Sequence, residues 1–147
     1  MTEQLTLTTP GSRTPQLRIH QQNVNKSLVA QSDLLHRLNP KLYDICTIQE
    51  PFLDHNHNSH ATPHWFTIYP KEHYISPKKT CSLILVNRCI ATDTWIQVDF
   101  GSSDITAIQV RTEAGTILMI NTYSDLTGQE GIKQAALMLK GSAHATC

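Results

Sequence analysis

The sequence predicts an α/β (α+β) fold in which mixed β-sheets pack face to face. A β-α-β unit opens the chain, several strands joined by turns follow, and an amphipathic helix comes last. A β-α-β unit makes two strands parallel, whereas short turns make neighbouring strands antiparallel. Sheets with both kinds of pairing are therefore expected.

The β-α-β unit spans residues 17–49. Leu17–Asn23 is predicted as the first strand and Leu42–Gln49 as a buried second strand. Ser27–Leu38 is predicted as the helix between them, with Ser27 as its cap and Pro40 ending it. Its apolar face is expected to consist of Leu28, Leu34, Leu35 and Leu38.

Beyond this unit, the apolar pattern predicts five strands and a second helix, Gly128–Leu139. Residues 51–63, rich in His and Asn, are expected to form a loop. Glu113-Ala114-Gly115 is predicted as the last hairpin turn, since glycine adopts positive φ at low cost. The five strands are His64–Tyr69, Cys81–Asn87, Thr94–Asp99, Ile105–Thr112 and Thr116–Tyr123.

Composition narrows the class of protein further. The 147 residues, 39% of them hydrophobic, suffice for one domain with a buried core. We interpret residues 1–16 as a flexible leader, 17–140 as the domain and 141–147 as a tail. Twelve basic and twelve acidic residues cancel, which lowers the expectation of a strongly basic nucleic-acid-binding protein. Without a secretion signal or membrane span, an intracellular protein of the nucleus or cytoplasm is expected, with its cysteines as free thiols.

Polar side chains follow both strands of the β-α-β unit, where each strand ends. Asn23 and Asn25 follow the first strand, and Glu50 follows the second. Ligands in open α/β sheets bind beyond the carboxyl ends of strands, and Mg²⁺ prefers oxygen ligands. The pattern therefore indicates a divalent-cation site. From these residues alone, Glu50 fits an ordinary surface strand end as well, and Asn25 a cap or turn.

Three short motifs stand in order at predicted strand ends: Gln21-Gln22-Asn23-Val24-Asn25, Gln49-Glu50-Pro51 and Asn121-Thr122-Tyr123-Ser124. Together they resemble the endonuclease/exonuclease/phosphatase family, and are most similar to the endonuclease domains of non-LTR retrotransposons. The resemblance covers residues 17–139 and corresponds to the first part of the family's domain. It implies a partial DNase I-like four-layer α-β-β-α sandwich with mixed sheets, without its C-terminal part.

The resemblance also implies Mg²⁺-dependent phosphodiester hydrolysis and DNA as the partner, as in target nicking by retrotransposons. Glu50 would be a direct Mg²⁺ ligand, and Asn23 would hold the same metal or the scissile phosphate. Tyr123 would offer its hydroxyl to the phosphate, although a core aromatic role suits it too. Asn25 would support the site, and Asn121 is expected to make local hydrogen bonds rather than perform chemistry.

The sequence departs from the family pattern at several places. No Asp-x-Asn follows the last predicted helix, and Ser-Asp-His is absent. Lys26 replaces the usual glycine after the second Asn, Gln22 replaces a Trp, and Asp125 replaces a Pro. We therefore expect little turnover by this chain alone. The alternative is a non-catalytic relic or binding protein that keeps part of the fold and self-associates through unpaired sheet edges.

A second constellation is the histidine-rich loop. Four imidazoles in ten residues could bind Zn²⁺ or Ni²⁺, but a solvent-exposed polar loop fits the pattern better. The basic side chains nearby allow contact with a DNA backbone but are predicted to be ordinary surface cations. The histidines are His55, His57, His60 and His64, and the basic residues are Lys71, Lys78, Lys79 and Arg88.

Overall fold

The computed structural model describes residues 16–60 and 62–124, which form one helix layer and two β-sheets. The helix α1 is Leu28–Arg37, and short 3₁₀ turns cover Lys71–Tyr74, Pro77–Lys79 and Thr92–Thr94. The strands are β1 (Ile19–Asn23), β2 (Ile45–Gln49), β3 (Trp65–Ile68), β4 (Ser82–Asn87), β5 (Trp95–Val98), β6 (Ile105–Thr112) and β7 (Gly115–Thr122).

The first sheet has the strand order β1-β2-β4-β3 and is mixed, as predicted. β1 pairs with β2 in parallel, with Asn23 opposite Gln49 at the carboxyl ends. The β2–β4 and β3–β4 pairs are antiparallel. The parallel pair requires a crossover, which α1 provides, and this places both polar strand ends at one edge.

The second sheet is antiparallel, in the order β5-β6-β7. The predicted hairpin turn between β6 and β7 consists of Glu113 and Ala114, because Thr112 already pairs with Gly115. Gly115 has a φ of 130° as the first residue of β7, a conformation that residues with a Cβ rarely adopt.

Alternating side chains of the central strands build two separate cores. Cys46 and Ile48 of β2 face α1 and pack with Leu34 and Leu38 of the helix. Ile45 faces the second sheet, in a cluster that also contains residues of β4 and β6. Both faces of β2 are covered, and its first four residues, including Thr47, are therefore buried. Burial also raises the pKa of the Cys46 thiol to about 12, so this side chain is a neutral core residue.

Two sequence expectations about this unit are wrong. Leu28 is 42% exposed at the first residue of the helix, whose buried positions are Gln31 and Leu34. Leu42 is 58% exposed, because the second strand begins only at Ile45, after the turn that follows Pro40. Ser27 does cap the helix, accepting a hydrogen bond from the Ala30 N–H at 3.2 Å. The predicted helix Gly128–Leu139, the tail and nearly all of the leader lie outside the described residues.

A buried amide joins the two sheets at the edge where β1 and β2 end. The side chain of Asn121, at the end of β7, is 2% exposed and donates to the carbonyls of Ile48 (2.9 Å) and Leu83 (2.8 Å) in the first sheet. Its oxygen accepts from the Gln49 side chain. Ser82 of β4 returns a bond to the Asn121 carbonyl at 2.8 Å. We call this set of bonds the amide seam.

Asn121→Ala is expected to lower the free energy of unfolding by about 2 kcal/mol, since it leaves several buried polar groups without partners. Urea denaturation of the purified chain measures this. Thr116→Ala, on the exposed start of the same strand, is the matched control and should change stability little. Equal stability of the two variants would contradict a structural role for the seam.

Candidate functional site

The carboxyl ends of β1 and β2 bring two of the predicted site residues into contact. The Asn23 Nδ2 donates to Oε1 of Glu50 at 3.3 Å, and both side chains reach solvent. The Asn23 Oδ1 accepts from the backbone N–H of Asn25 at 2.8 Å, which forms an Asx turn and fixes the amide. The chain therefore presents an oriented amide beside a carboxylate.

The backbone around this pair has an unusual conformation. Asn25, Lys26 and Glu50 have φ values of 52°, 56° and 48°, in the left-handed region that residues with a Cβ seldom occupy. Backbone hydrogen bonds hold the strain: Lys26 donates to the Glu50 carbonyl at 2.7 Å, and Glu50 donates to the Cys81 carbonyl at 2.9 Å. Non-glycine residues in this region concentrate at functional sites. Lys26 thus has a backbone conformation that glycine adopts at lower cost.

The donor set at this edge fits a magnesium ion in part. Glu50 supplies a carboxylate, and the Asn23 amide, which donates through Nδ2 to Glu50 Oε1, supplies a carbonyl oxygen that accepts from the Asn25 N–H. Mg²⁺ keeps several waters and needs only one or two protein carboxylates. Within residues 16–60 and 62–124, no three His, Cys, Asp or Glu side chains form a group able to hold a metal. A site here would therefore rely on one carboxylate, an amide and solvent.

Cys81 and Asp104 complete this edge, and the sequence motifs did not reveal either. The Cys81 thiol donates a hydrogen bond to Asp104. Burial raises the pKa of Cys81, and Asp104 raises it further; Lys26 lowers it, and Glu50 raises it slightly. Asp104, Lys26 and Glu50 therefore each lie within electrostatic reach of Cys81. An aspartate in the loop before β6 carries no sequence signal for this location, because only the packing of the two sheets brings it here.

Tyr123 and Asn121 reach the same edge from the second sheet. The Tyr123 N–H donates to the Asp104 carbonyl at 2.8 Å, and its side chain is half-buried. The Asn121 amide is occupied by the amide seam. These bonds reach residues distant in the sequence rather than the local partners expected for Asn121. The phosphate contact proposed for Tyr123 and the supporting role of Asn25 stay predictions.

A buried glutamine of α1 positions the segment that follows Glu50. Gln31 is fully buried; its oxygen accepts from the Phe52 N–H at 2.7 Å and its nitrogen donates to the His60 carbonyl at 2.9 Å. The sequence pattern places Gln31 on a helix but gives no reason to bury it. Its partners explain the burial, since an amide with both ends satisfied is tolerated inside a protein.

The histidine-rich loop is organised by hydrogen bonds rather than as a metal cluster. The Asp54 carboxylate accepts from the backbone N–H groups of Asn56 (2.8 Å) and Asn58 (3.0 Å). Those bonds lower the pKa of Asp54, with the largest effect from Asn58. His60 packs edge-on against Phe52, with ring centroids 5.3 Å apart. The loop gives the Zn²⁺ or Ni²⁺ alternative no geometric support in the described residues.

The basic residues of the first sheet's loops differ in their surroundings. The Arg88 guanidinium lies 4.1 Å above the Phe66 ring, a cation–π contact that gives it a packing role. Lys71, Lys78 and Lys79 are exposed, as expected for surface cations. Lys78 alone among these three lines a cavity beside the candidate site.

These layers and this edge define the class of fold: a partial DNase I-like sandwich, which confirms the fold predicted from the sequence. Among solved structures, the endonuclease domain of TRAS1, a telomere-specific non-LTR retrotransposon, is similar over 90% of this chain. The TM-score is 0.62 and the sequence identity 17%, so the similarity concerns the fold. The chain spans 54% of that structure's length.

No protein-family profile matches the chain. No curated protein sequence matches it. The described residues contain no helix with the length and apolar content needed to cross a membrane.

Stability is expected to depend on pH through the buried His73, which is 5% exposed. Its ring stacks on that of Tyr69 with centroids 4.1 Å apart, and its Nδ1 lies 2.6 Å from the Thr80 hydroxyl oxygen. Burial lowers its pKa from the usual 6.5, with a further effect from His57. The unfolded chain therefore binds the proton more readily, so stability falls as pH drops below about 6.5 towards the folded-state pKa.

His73→Gln should flatten this part of the stability–pH profile, measured by thermal unfolding at a series of pH values. His36→Gln, on the exposed face of α1, is the control and should leave the slope unchanged. The slope, rather than the absolute stability, is the readout, because the substitution also alters packing. A wild-type slope in His73→Gln would exclude His73 as its source.

Proposed function

We propose that this chain binds Mg²⁺ and a DNA phosphodiester at the edge formed by the ends of β1 and β2. The contact between the Asn23 amide and the Glu50 carboxylate carries the proposal. Support also comes from the similarity of its fold to an endonuclease domain. In this proposal the chain supplies the metal- and phosphate-binding part of a nuclease-type site.

Each residue has a separate task in the proposed site. Glu50 supplies the anionic ligand, and its backbone bonds to Cys81 and Lys26 keep the carboxylate at the sheet edge. Asn23, fixed by the Asx turn, offers its amide to the same metal or to a phosphate oxygen. When bound, the metal would neutralise charge on the phosphate oxygens. Tyr123 would reach the same phosphate with its hydroxyl.

We propose binding rather than turnover as the activity of this chain. Phosphodiester hydrolysis needs a group that activates water and one that assists the leaving oxygen. Asp104 also lies at this edge, and its carboxylate accepts the Cys81 thiol hydrogen bond. Within residues 16–60 and 62–124, no imidazole makes a hydrogen bond with the Asn23 or Glu50 side chain. The proposal therefore corresponds to the non-catalytic binding protein that the sequence gives as the alternative, with DNA as its ligand.

Glu50→Gln is expected to weaken Mg²⁺ binding at least tenfold, because the amide is neutral and a poorer metal ligand. Isothermal titration calorimetry of the full chain with Mg²⁺ measures this affinity. A parallel titration with Mn²⁺ provides a paramagnetic substitute. Glu113→Gln, in the exposed β6–β7 turn, is the matched control and should bind like the wild type. Equal affinities of the two variants would contradict the proposed metal site.

A plasmid-nicking assay separates binding from catalysis. The assay compares about 5 mM Mg²⁺ with EDTA. In both buffers we expect the wild type and Glu50→Gln to nick no more plasmid than the background without protein. Mg²⁺-dependent nicking that Glu50→Gln abolishes would show instead that the chain is an active endonuclease. The metal site would then stand, and the non-catalytic assignment would be wrong.

A further inference from the structure

A second concave site lies beside the candidate metal site. The segment after Glu50 and the loop before β4 enclose a cavity of about 230 Å³. This is smaller than the roughly 300–1,000 Å³ of typical small-molecule sites, so it suits a fragment of a larger ligand. The side chains that matter most for its chemistry are Lys26, Lys78, His57 and Phe52. We call this cavity the lysine cleft.

The charge of the lysine cleft favours an anion. Lys26 and Lys78 enter it from opposite segments, the first before α1 and the second from a 3₁₀ turn. Neither forms an ion pair with a carboxylate of the described residues, where the ion pairs are Arg18–Asp44 and Arg37–Asp33. No Asp or Glu lines the cleft. Two lysines that line one cavity, neither of them in an ion pair within the described residues, favour an anion such as a phosphate that both can contact.

The remaining wall of the cleft is apolar and adds a second kind of contact. Pro51, Phe52 and Leu53 form this side, and Phe52 is held in place by the Gln31 amide. An aromatic ring beside a cationic pair suits a nucleotide unit, whose phosphate meets the charges while its sugar or base packs on the ring. A free inorganic anion would not use this wall.

The lysine cleft adjoins the candidate metal site. The Lys26 N–H bonds to the Glu50 carbonyl at 2.7 Å, and Lys26 lines the cleft. Pro51, the residue after Glu50, lines it as well. One strand of nucleic acid can therefore contact both sites.

We propose that the lysine cleft binds a second backbone phosphate of the DNA strand that lies at Asn23 and Glu50. That the ligand is DNA rests on the proposed function. That the cleft binds a phosphate rests on the residues that line it. Binding at the cleft needs no metal. It should therefore persist when Mg²⁺ is removed.

The test is fluorescence anisotropy of a labelled 20-base-pair DNA duplex with the full chain in EDTA, at several KCl concentrations. Lys78→Gln is expected to weaken binding several-fold and to reduce the slope of log affinity against log salt by about 0.9, the value of one phosphate contact. Lys79→Gln is the matched control: the same residue type, one position later, equally exposed but outside the cleft. It should leave the slope unchanged, and Lys78→Arg should restore it.

Lys26→Gly tests the other side of the cleft without a folding defect. Glycine accepts a φ of 56°, so this variant should melt no lower than the wild type. Its slope of log affinity against log salt should fall by the same amount as in Lys78→Gln. Equal slopes for Lys78→Gln and Lys79→Gln, or no binding by the wild type in EDTA, would overturn the proposal. Glu50→Gln separates the two sites: it should keep binding in EDTA and lose the Mg²⁺ titration. If only the Mg²⁺ titration fails, the proposed metal site is wrong and the proposed phosphate site at the cleft is unaffected.

Discussion

The hydrogen bonds of one buried amide, Asn121, set the geometry on which the candidate site depends. Its side chain donates to carbonyls of both central strands of the first sheet, so the end of the second sheet is locked against the end of the first. Apolar packing between the sheets is non-directional and leaves their relative shift free. A buried amide has only a few satisfied arrangements, and it therefore fixes that shift. Asp104 and Tyr123 come to the Glu50 edge as a result.

The same edge combines rigidity with backbone strain. Three residues with positive φ lie at the Asn23–Glu50 contact. Backbone bonds hold Lys26 to Glu50 and Glu50 to Cys81, and the Asn23 side chain holds Asn25. Each such non-glycine residue costs on the order of 1 kcal/mol or more. That cost positions the Glu50 carboxylate beside the Asn23 amide at the ends of two neighbouring strands. A rigid site of this kind loses little conformational entropy when a ligand binds.

Local sequence signals predicted the parts of this structure that depend on neighbouring residues. The parallel strands, their crossover helix and the Ser27 cap follow from periodicity and capping chemistry, and so does the adjacency of Asn23 and Glu50. Leu28 and Leu42 were misplaced because periodicity marks an apolar stripe but not where the packed surface ends. The long-range partners were beyond such signals. Gln31 and Asp104 have unremarkable sequence contexts, and only the tertiary contacts give them their positions.

The strand order of the first sheet has a consequence for synthesis of the chain. β4 lies between β2 and β3 although it follows both along the sequence. While the nascent chain leaves the ribosome, β2 has its parallel neighbour but an unpaired backbone edge on the other side until residues 82–87 emerge. Unpaired apolar strands of this kind are recognised by chaperones and drive aggregation. Translation speed across residues 50–87 is thus a determinant of how much of the protein reaches its native state.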